Sequence, residues 1–254
     1  MTRGFVIMAQ DTDIVEYTKC AEALKASILR VMPSANITII TSDKLPYGDL
    51  APNGDWKLIN DWQVYEASPY DETIKLEADM FIPKDISHWW DILKDRDVVI
   101  STTIRNYKGE ISDCRVYRKF IDDNALPDCY NAITYFKKSK TAQYFYQVVK
   151  NVFENWDEYK KILKCNPTET ATTDFVYAIA SLIVGVEHTT LPNFTDMSMV
   201  HMKQHVNNIP IDIWTDIFVH ECLPDVLRIH TCPQQYPFHY VDKNFANVLL
   251  ESYA

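Results

Sequence analysis

The first forty residues form a strand, a helix and a second strand, and this order restricts the fold more than any other feature. Residues 4–9 (GFVIMA) are a continuous apolar run, typical of a strand that is buried on both faces. Apolar residues then recur at helical spacing from about 14 to 32, where Pro33 ends the helix, and a second strand follows at 36–41. A right-handed crossover places two such strands side by side. The sequence therefore predicts an α/β fold with a Rossmann-like mixed sheet flanked by helices.

A short strand at 73–77 ends in two carboxylates, Glu77 and Asp79, with Ala78 between them. In extended backbone this spacing puts both side chains on the same side of the chain. Two carboxylates held close repel each other unless a cation or hydrogen-bond donors lie between them. Such a pair can hold a hard divalent ion with coordination positions left open, which a diphosphate would fill. An isolated acid-x-acid triplet is more often a solvated strand end, so the surrounding sequence has to decide.

The loop after the first strand supplies candidates for nucleotide contacts. It lies at the carboxyl edge of the predicted sheet, where open α/β sheets bind their ligands. The candidates from this region are Gln10, Asp11, Thr12 and Tyr17. The alternative for the acidic residues of the loop is an ordinary helix-capping role.

Composition excludes several classes of protein. The 254 residues are 47% hydrophobic, which is enough for a sizeable core, and no apolar run approaches the roughly 20 residues that span a membrane. The formal charge of −10 argues against a general nucleic-acid binder. Only 5 glycines are present and no glycine-rich phosphate loop occurs, so a metal and side chains would have to hold any phosphate. The 6 scattered cysteines and the absence of a signal-peptide pattern favour a cytoplasmic protein without disulfides.

Three later segments carry further chemistry. Residues 103–124 are polar and aromatic and contain the best basic stretch, from Arg105 to Lys119, which reads as a solvated loop or as a surface for an anionic acceptor. A helix predicted at about 172–184 has Asp174 in its first turn, where a capping or dipole role is the plain alternative. A late strand at 226–230 ends in His230, and a neutral imidazole is a good Mn²⁺ ligand beside carboxylates.

Together these features resemble the GT-A glycosyltransferases, in particular the glycogenin-like and galactosyltransferase-like group. Residues 76–80 (LEADM) resemble the acid-x-acid element of these enzymes, and residues 131–136 (NAITYF) resemble their Asn-Ala-Gly strand. The stretch 60–73 (NDWQVYEASPYDET) looks like glycosyltransferases of tailed phages, some of which add glucose or arabinose to hydroxymethylcytosine in phage DNA. Two residues depart from the pattern: Glu77 stands where Asp is commoner, and Ile133 stands where the family often has Gly.

The resemblance implies a single GT-A domain over residues 1–254, with a nucleotide-sugar-binding half up to about 102 and an acceptor-binding half, with C-terminal metal and diphosphate elements, from about 103. It implies a UDP-sugar donor and Mn²⁺ or Mg²⁺, with hydroxymethylcytosine in DNA as the favoured acceptor. No membrane partner is expected, and the oligomeric state is left open.

The same resemblance assigns roles to individual residues. The expected metal ligands are Glu77, Asp79 and His230. The expected donor contacts are Ala9, Gln10, Thr12, Tyr17, Lys75, Glu77, Ala78 and Asp79. Asp174 and Asn131 are expected to face the sugar as catalytic residues. The extra methylene of Glu77 moves its carboxylate by roughly 1.5 Å, about one C–C bond, which leaves direct metal binding or contact through ribose or water open.

Other functions stay open at this stage. A glycan or protein acceptor is the alternative within the enzyme class. A non-catalytic nucleotide-sugar-binding module with a decayed transferase fold is the alternative outside it. A metal phosphohydrolase is disfavoured because such sites assemble more Asp and His ligands than the sequence places together.

Overall fold

The computed structural model describes residues 1–114, 118–164, 170–191, 195–209, 213–223 and 226–253, without the side chain of Tyr253. The strands are β1 (Arg3–Met8), β2 (Ile37–Ile40), β3 (Glu72–Glu77), β4 (Met80–Phe81), β5 (Val98–Ser101), β6 (Ile104–Arg105), β7 (Tyr130–Lys137), β8 (Met199–His201), β9 (His220–Leu223), β10 (Val226–Ile229), β11 (Cys232–Pro233) and β12 (Phe238–His239). The α-helices are α1 (Tyr17–Val31), α2 (Val64–Ala67), α3 (Trp89–Leu93), α4 (Lys119–Asp123), α5 (Lys140–Glu154), α6 (Trp156–Ile162), α7 (Thr173–Val184), α8 (Val186–Thr189), α9 (Gln204–Asn207) and α10 (Phe245–Tyr253). Short 3₁₀ helices cover Ser42–Lys44, Lys57–Gln63 and Trp214–Asp216.

The central sheet has the strand order β2-β1-β3-β7-β5. Strand β1 pairs in parallel with β2 and with β3, as the crossover rule requires for the first two strands. Strand β7 runs antiparallel to both β3 and β5, so the sheet is mixed. The predicted α/β fold with a mixed sheet flanked by helices is confirmed.

Both faces of this sheet are covered, because successive residues of a strand point to opposite faces. Phe5 and Ile7 of β1 join a core cluster with Leu24 of α1, on the face that α10 also covers. Val6, between them, joins a second cluster with Val149 of α5, on the face that α7 also covers. The continuous apolar run of β1 is therefore explained by burial on two sides.

The short strand predicted at 73–77 ends at the acidic triplet. Strand β3 ends at Glu77, and the chain then enters a second sheet of order β4-β12-β8-β6. There β4 pairs antiparallel with β12, and the Tyr240 N–H donates to the Asp79 carbonyl at 3.1 Å. The triplet thus lies where two sheets meet, next to strand β12 from the C-terminal part of the sequence.

Two further expectations concern the chain as a whole. The described cysteines, Cys20, Cys114, Cys129, Cys222 and Cys232, are all free thiols, and Cys165 lies outside the described residues. Within the described ranges, none of the helices combines the length and apolar character needed to cross a membrane.

Candidate metal and donor-binding site

A cavity of about 490 Å³ opens at the carboxyl ends of β1 and β3. Its wall includes residues that lie far apart in the chain: the end of β1, the segment 55–58, the end of β3, the start of α7 and the segment 239–243. Ligands of open α/β sheets bind at this edge. The cavity is therefore the candidate site.

Glu77, Asp79 and His239 form a cluster in the wall of this cavity. One carboxylate oxygen of each acid and one imidazole nitrogen all lie within 4.8 Å of one another. His239 Nε2 is 2.9 Å from Asp79 Oδ2 and 3.4 Å from Glu77 Oε2. Asp79 is buried, whereas a quarter of the Glu77 side chain is exposed. Two carboxylate oxygens and one imidazole nitrogen are a set of metal ligands that suits Mn²⁺ and binds Mg²⁺ less well. These three residues therefore fit a divalent cation.

Lys243 approaches the same carboxylate. Its ammonium donates to Asp79 Oδ2 at 2.5 Å, and its side chain is 27% exposed. Burial alone would raise the pKa of Asp79, but His239 and Lys243 hold that pKa far below its usual range. Burial alone would lower the pKa of Lys243, but the contact with Asp79 raises it above its usual value. The aspartate is therefore ionised, with two nitrogen donors on one oxygen.

Glu77 behaves differently from its neighbour. Burial raises its pKa, and the charges of His239 and Lys75 offset this shift only in part. The two acids of the triplet thus differ in environment: Asp79 has direct donors, and Glu77 relies on longer-range attraction. Its role as a direct ligand stays a prediction.

His230, the expected third ligand, lies elsewhere in the molecule. It follows β10 in a left-handed conformation (φ 51°), in the turn that leads to β11 of the separate β11-β10-β9 sheet. Its ring packs against Phe218 and Tyr107, with centroids 5.1 and 6.0 Å away. The structure does not bring His230 to the carboxylates, and His239 occupies that place instead. His230 follows a four-residue strand, whereas His239 lies in β12, which has only two residues. A strand of two residues shows no alternation of apolar and polar residues, so the sequence did not reveal it.

A buried polar network supports the β3 side of the cavity. The Lys75 ammonium lies 2.7 Å from Asp61 Oδ1, and both side chains are nearly inaccessible to solvent. Asp61 Oδ2 also accepts from Tyr177 OH at 2.5 Å and from Asn131 Nδ2 at 3.1 Å. Lys75 and Asp61 line the cavity, whereas Asn131 is fully buried behind them. Sequence reasoning assigned no role to either Asp61 or Tyr177: Asp61 lies in the stretch 60–73 but was not singled out there, and Tyr177 belongs to no recognisable motif.

Asp174 lines the cavity from the first turn of α7. Its Oδ2 accepts from Arg118 at 3.0 Å, and its Oδ1 accepts from the backbone N–H of Asn131 at 3.0 Å. The Arg118 guanidinium also lies over the Tyr130 ring, 4.1 Å from its centroid. Asp174 therefore ties α7 to β7 across the cavity wall, which is more than a local capping role.

Gln10 and Tyr17 also line the cavity, and the Lys243 ammonium lies 5.7 Å from the centroid of the Tyr17 ring. Ala78 also lines the cavity, whereas Ala9 is buried and its N–H donates to the Ile40 carbonyl. The Thr12 hydroxyl accepts hydrogen bonds from the backbone N–H groups of Ile14 and Val15, so it stabilises the loop. Asp11 accepts from the Thr18 N–H and hydroxyl at the start of α1, which is the capping alternative.

The basic stretch 105–119 is largely occupied by contacts within the protein. Arg105 donates to Ser198 Oγ at 2.8 Å and stacks on Tyr236 at 4.0 Å. Arg118 is held by Asp174, as described above, and Lys119 pairs with Asp123 at 2.6 Å. Arg115 and Tyr117 fall outside the described residues. The described arginines of this stretch thus brace the structure.

Comparison with known proteins places this geometry in a fold family. No family model matches the sequence, and no curated protein matches it. Among solved structures, the chain is similar to the galactosyltransferase LgtC in complex with donor and acceptor sugar analogues, with a TM-score of 0.57 and 11% identity over 99% of this chain and 96% of that one. An active-site mutant of LgtC gives a TM-score of 0.54 at 11% identity, covering 98% and 95%.

The bifunctional glycosyltransferase WbbM gives a TM-score of 0.53 at 14% identity, and the match covers 100% of this chain but only 50% of WbbM. At such low identity these likenesses establish the fold. The chain has the mixed α/β fold of GT-A glycosyltransferases, with its Glu77-x-Asp79 pair at the strand end where the cavity opens.

Proposed function

We propose that this protein is a metal-dependent glycosyltransferase that moves a sugar from a UDP-sugar to a hydroxyl acceptor. The observation that carries the proposal is the cluster of Glu77, Asp79 and His239 in the wall of a 490 Å³ cavity, with Lys243 beside it. The GT-A fold supports the same assignment. A solvated strand end would not have a buried aspartate with an imidazole and an ammonium on one oxygen.

In this proposal Asp79 and His239 hold Mn²⁺ or Mg²⁺, and Glu77 completes the donor set. The bound cation supplies Lewis-acid neutralisation of the charge that develops on the departing diphosphate. Lys243 is placed to donate to a diphosphate oxygen once its ammonium leaves Asp79. Tyr17 and Gln10 line the part of the cavity assigned to ribose and base.

The sugar is assigned to the region between Lys75 and Asp174. Asp174 presents a carboxylate whose orientation is fixed by Arg118 and by the Asn131 N–H. Asn131 acts as a positioning residue, because its side chain holds Asp61 and does not line the cavity. Glucose and arabinose remain the sugars that the phage-like resemblance suggests.

The acceptor we propose is 5-hydroxymethylcytosine in DNA. Its support is the resemblance of residues 60–73 to phage enzymes. The described arginines of 105–119 do not add to it, since they are engaged internally. A duplex base would have to leave the stack to reach the cavity. The alternative is a glycan or protein hydroxyl.

The test combines binding with product analysis. Wild-type protein and Asp79→Asn are titrated with UDP with and without Mn²⁺ by calorimetry, and both are incubated with UDP-sugars and a panel of hydroxymethylated DNA, glycans and peptides. Mn²⁺-dependent UDP binding and a mass increase of one sugar in one acceptor class are expected for the wild type only. Full transfer by Asp79→Asn would refute the metal role, and a mass shift only in glycans or peptides would refute the DNA acceptor.

The same experiment separates an enzyme from a binding module. A transferase releases UDP slowly from its donor by hydrolysis when no acceptor is present. A module binds the nucleotide-sugar and leaves it intact. Binding without transfer or hydrolysis across the panel would favour the module.

A further inference from the structure

Gln10 has a buried side-chain amide whose NH₂ group has no hydrogen-bond partner among the described residues. The side chain lies at the end of β1, lines the cavity and is 6% exposed. Its Oε1 accepts from Asn60 Nδ2 at 3.0 Å, while its Nε2 has no hydrogen-bond partner among the described residues. A buried donor without a partner is costly, and such groups call for an explanation. One such explanation is a ligand in the cavity that accepts a hydrogen bond from Gln10 Nε2.

The orientation of this amide depends on Asn60, which is itself fixed. Asn60 Oδ1 accepts from the Leu50 backbone N–H at 2.9 Å, and that group can only donate. Asn60 Nδ2 donates to the Asp49 carboxylate at 2.7 Å, and an ionised carboxylate can only accept. The two ends of the Asn60 amide are therefore assigned by partners whose roles are not interchangeable. Nδ2 faces Gln10, so the Gln10 oxygen must face Asn60 and its NH₂ group must be the free end.

The surroundings hold this arrangement in place. Burial alone would raise the pKa of Asp49, but hydrogen bonds from Lys57, the Ala51 N–H and Asn60 lower it to about 2, so the acceptor stays ionised. Gln63 Nε2 donates to Asn60 Oδ1 at 3.1 Å, which reinforces the same assignment. A flip of the Gln10 amide would place two NH₂ groups against each other. The NH₂ group of Gln10 thus has a fixed orientation in the wall of the cavity, at the end of β1.

We propose that Gln10 selects the nucleobase by donating from Nε2 to O4 of uracil, the carbonyl oxygen at the position where uracil and cytosine differ. Cytosine carries an amino group at this position, so its donor would meet the donor of Gln10 and both would lose their partners. Sites built to hydrogen-bond one group reject an analogue that lacks it, because the buried polar group is left unpaired. This inference rests on the proposed function, since it assigns a base to the nucleotide that the cavity binds.

The test compares UDP with CDP, which differ at the base edge, by calorimetry in the presence of Mn²⁺. We expect the wild type to bind UDP at least about tenfold more tightly than CDP. In Gln10→Glu one carboxylate oxygen still accepts from Asn60, while the other presents an acceptor to the base in place of the NH₂ donor. This variant should therefore bind CDP more tightly than UDP. Gln10→Met removes both groups and should bring the ratio of the two affinities close to one.

A matched control separates charge from recognition. Gln143 is exposed on α5 and does not line the cavity, so Gln143→Glu adds the same charge and should keep the wild-type ratio. Thermal unfolding checks that each variant is folded, and if Gln10→Glu does not fold, the wild type and Gln10→Met decide. Equal binding of UDP and CDP by the wild type, or an unchanged ratio in the Gln10 variants, would refute the inference alone. Failure of the wild type to bind either nucleotide would refute the proposed function and the inference with it.

Discussion

Replacement of Lys243 should change metal binding and nucleotide binding in opposite directions. In the structure its ammonium lies 2.5 Å from the Asp79 oxygen that also contacts His239. A cation that binds Asp79 has to displace this ammonium. Lys243→Met removes the competitor, so Mn²⁺ should bind the nucleotide-free protein more tightly. The same change removes a donor for the diphosphate, so UDP should bind the Mn²⁺-loaded protein more weakly.

The size of the effect follows from the geometry. Two unit charges about 4 Å apart near a protein surface interact by about 4 kcal/mol. The Lys243 side chain is 27% exposed, and its ammonium regains hydration when it leaves Asp79, so most of this energy is not lost on displacement. We expect about 1–2 kcal/mol of gain in Mn²⁺ binding, which is roughly a 5- to 30-fold higher affinity.

The assay is calorimetric titration of Mn²⁺ into nucleotide-free protein, followed by UDP at saturating Mn²⁺. Lys57→Met is the control, because Lys57 lines the same cavity but its ammonium lies 2.7 Å from Asp49. General loss of positive charge would strengthen Mn²⁺ binding equally in both variants. If Lys243→Met binds Mn²⁺ no more tightly than the wild type or the control, the ammonium does not compete with the metal and the reasoning is wrong.

Three further predictions concern stability, each measured by urea unfolding. Lys75→Met leaves Asp61 buried without its cation, so the free energy of unfolding should fall by about 3–5 kcal/mol. The double variant Lys75→Met/Asp61→Asn should lose less than the sum of the two single variants. Additive losses would show that the pair is not coupled. Although burial would raise the pKa of Asp49, hydrogen bonds lower it from 3.8 to about 2, so the ionised Asp49 stabilises the fold above its unfolded-state pKa and this stabilisation is lost as the pH falls. The difference in unfolding free energy between wild type and Asp49→Asn should therefore shrink between about pH 5 and about pH 2. A difference that stays constant over this range would contradict the prediction. A Cβ on Gly4 would lie 2.3 Å from the Tyr70 ring, so Gly4→Ala should lower the free energy of unfolding by about 1–3 kcal/mol. If the clash with this ring is the cause, the loss should largely disappear when Tyr70 is also replaced by Ala. A loss that persists in the Tyr70→Ala background would show another cause.

Much of the fold follows from local patterns in the sequence. The apolar run of β1 and the helical spacing of α1 are set by residues close in the chain, and a chiral crossover then aligns β1 with β2. The acidic pair was visible for the same reason, since Glu77 and Asp79 need only two positions of extended backbone to face one side. These features need no knowledge of distant contacts.

The partners of those acids were a matter of tertiary structure. His239 and Lys243 lie some 160 residues further along the chain than Asp79 and reach it through β12, a two-residue strand that has no periodicity to detect. His230 had the better local signal, at the end of a longer strand, but that strand belongs to another sheet. Local patterns identify an element but do not decide which sheet it joins.

The same distinction applies to the rest of the cavity. The sequence by itself determined that the chain forms an α/β sheet with two carboxylates at a strand end and polar residues after β1. Only the tertiary structure decided that Asp61 pairs with Lys75, that Asn131 supports the site from behind, and that Gln10 presents its NH₂ group. The physical reason is that a buried polar group takes its role from the partners packed around it, and those partners come from segments whose proximity exists only in the folded chain.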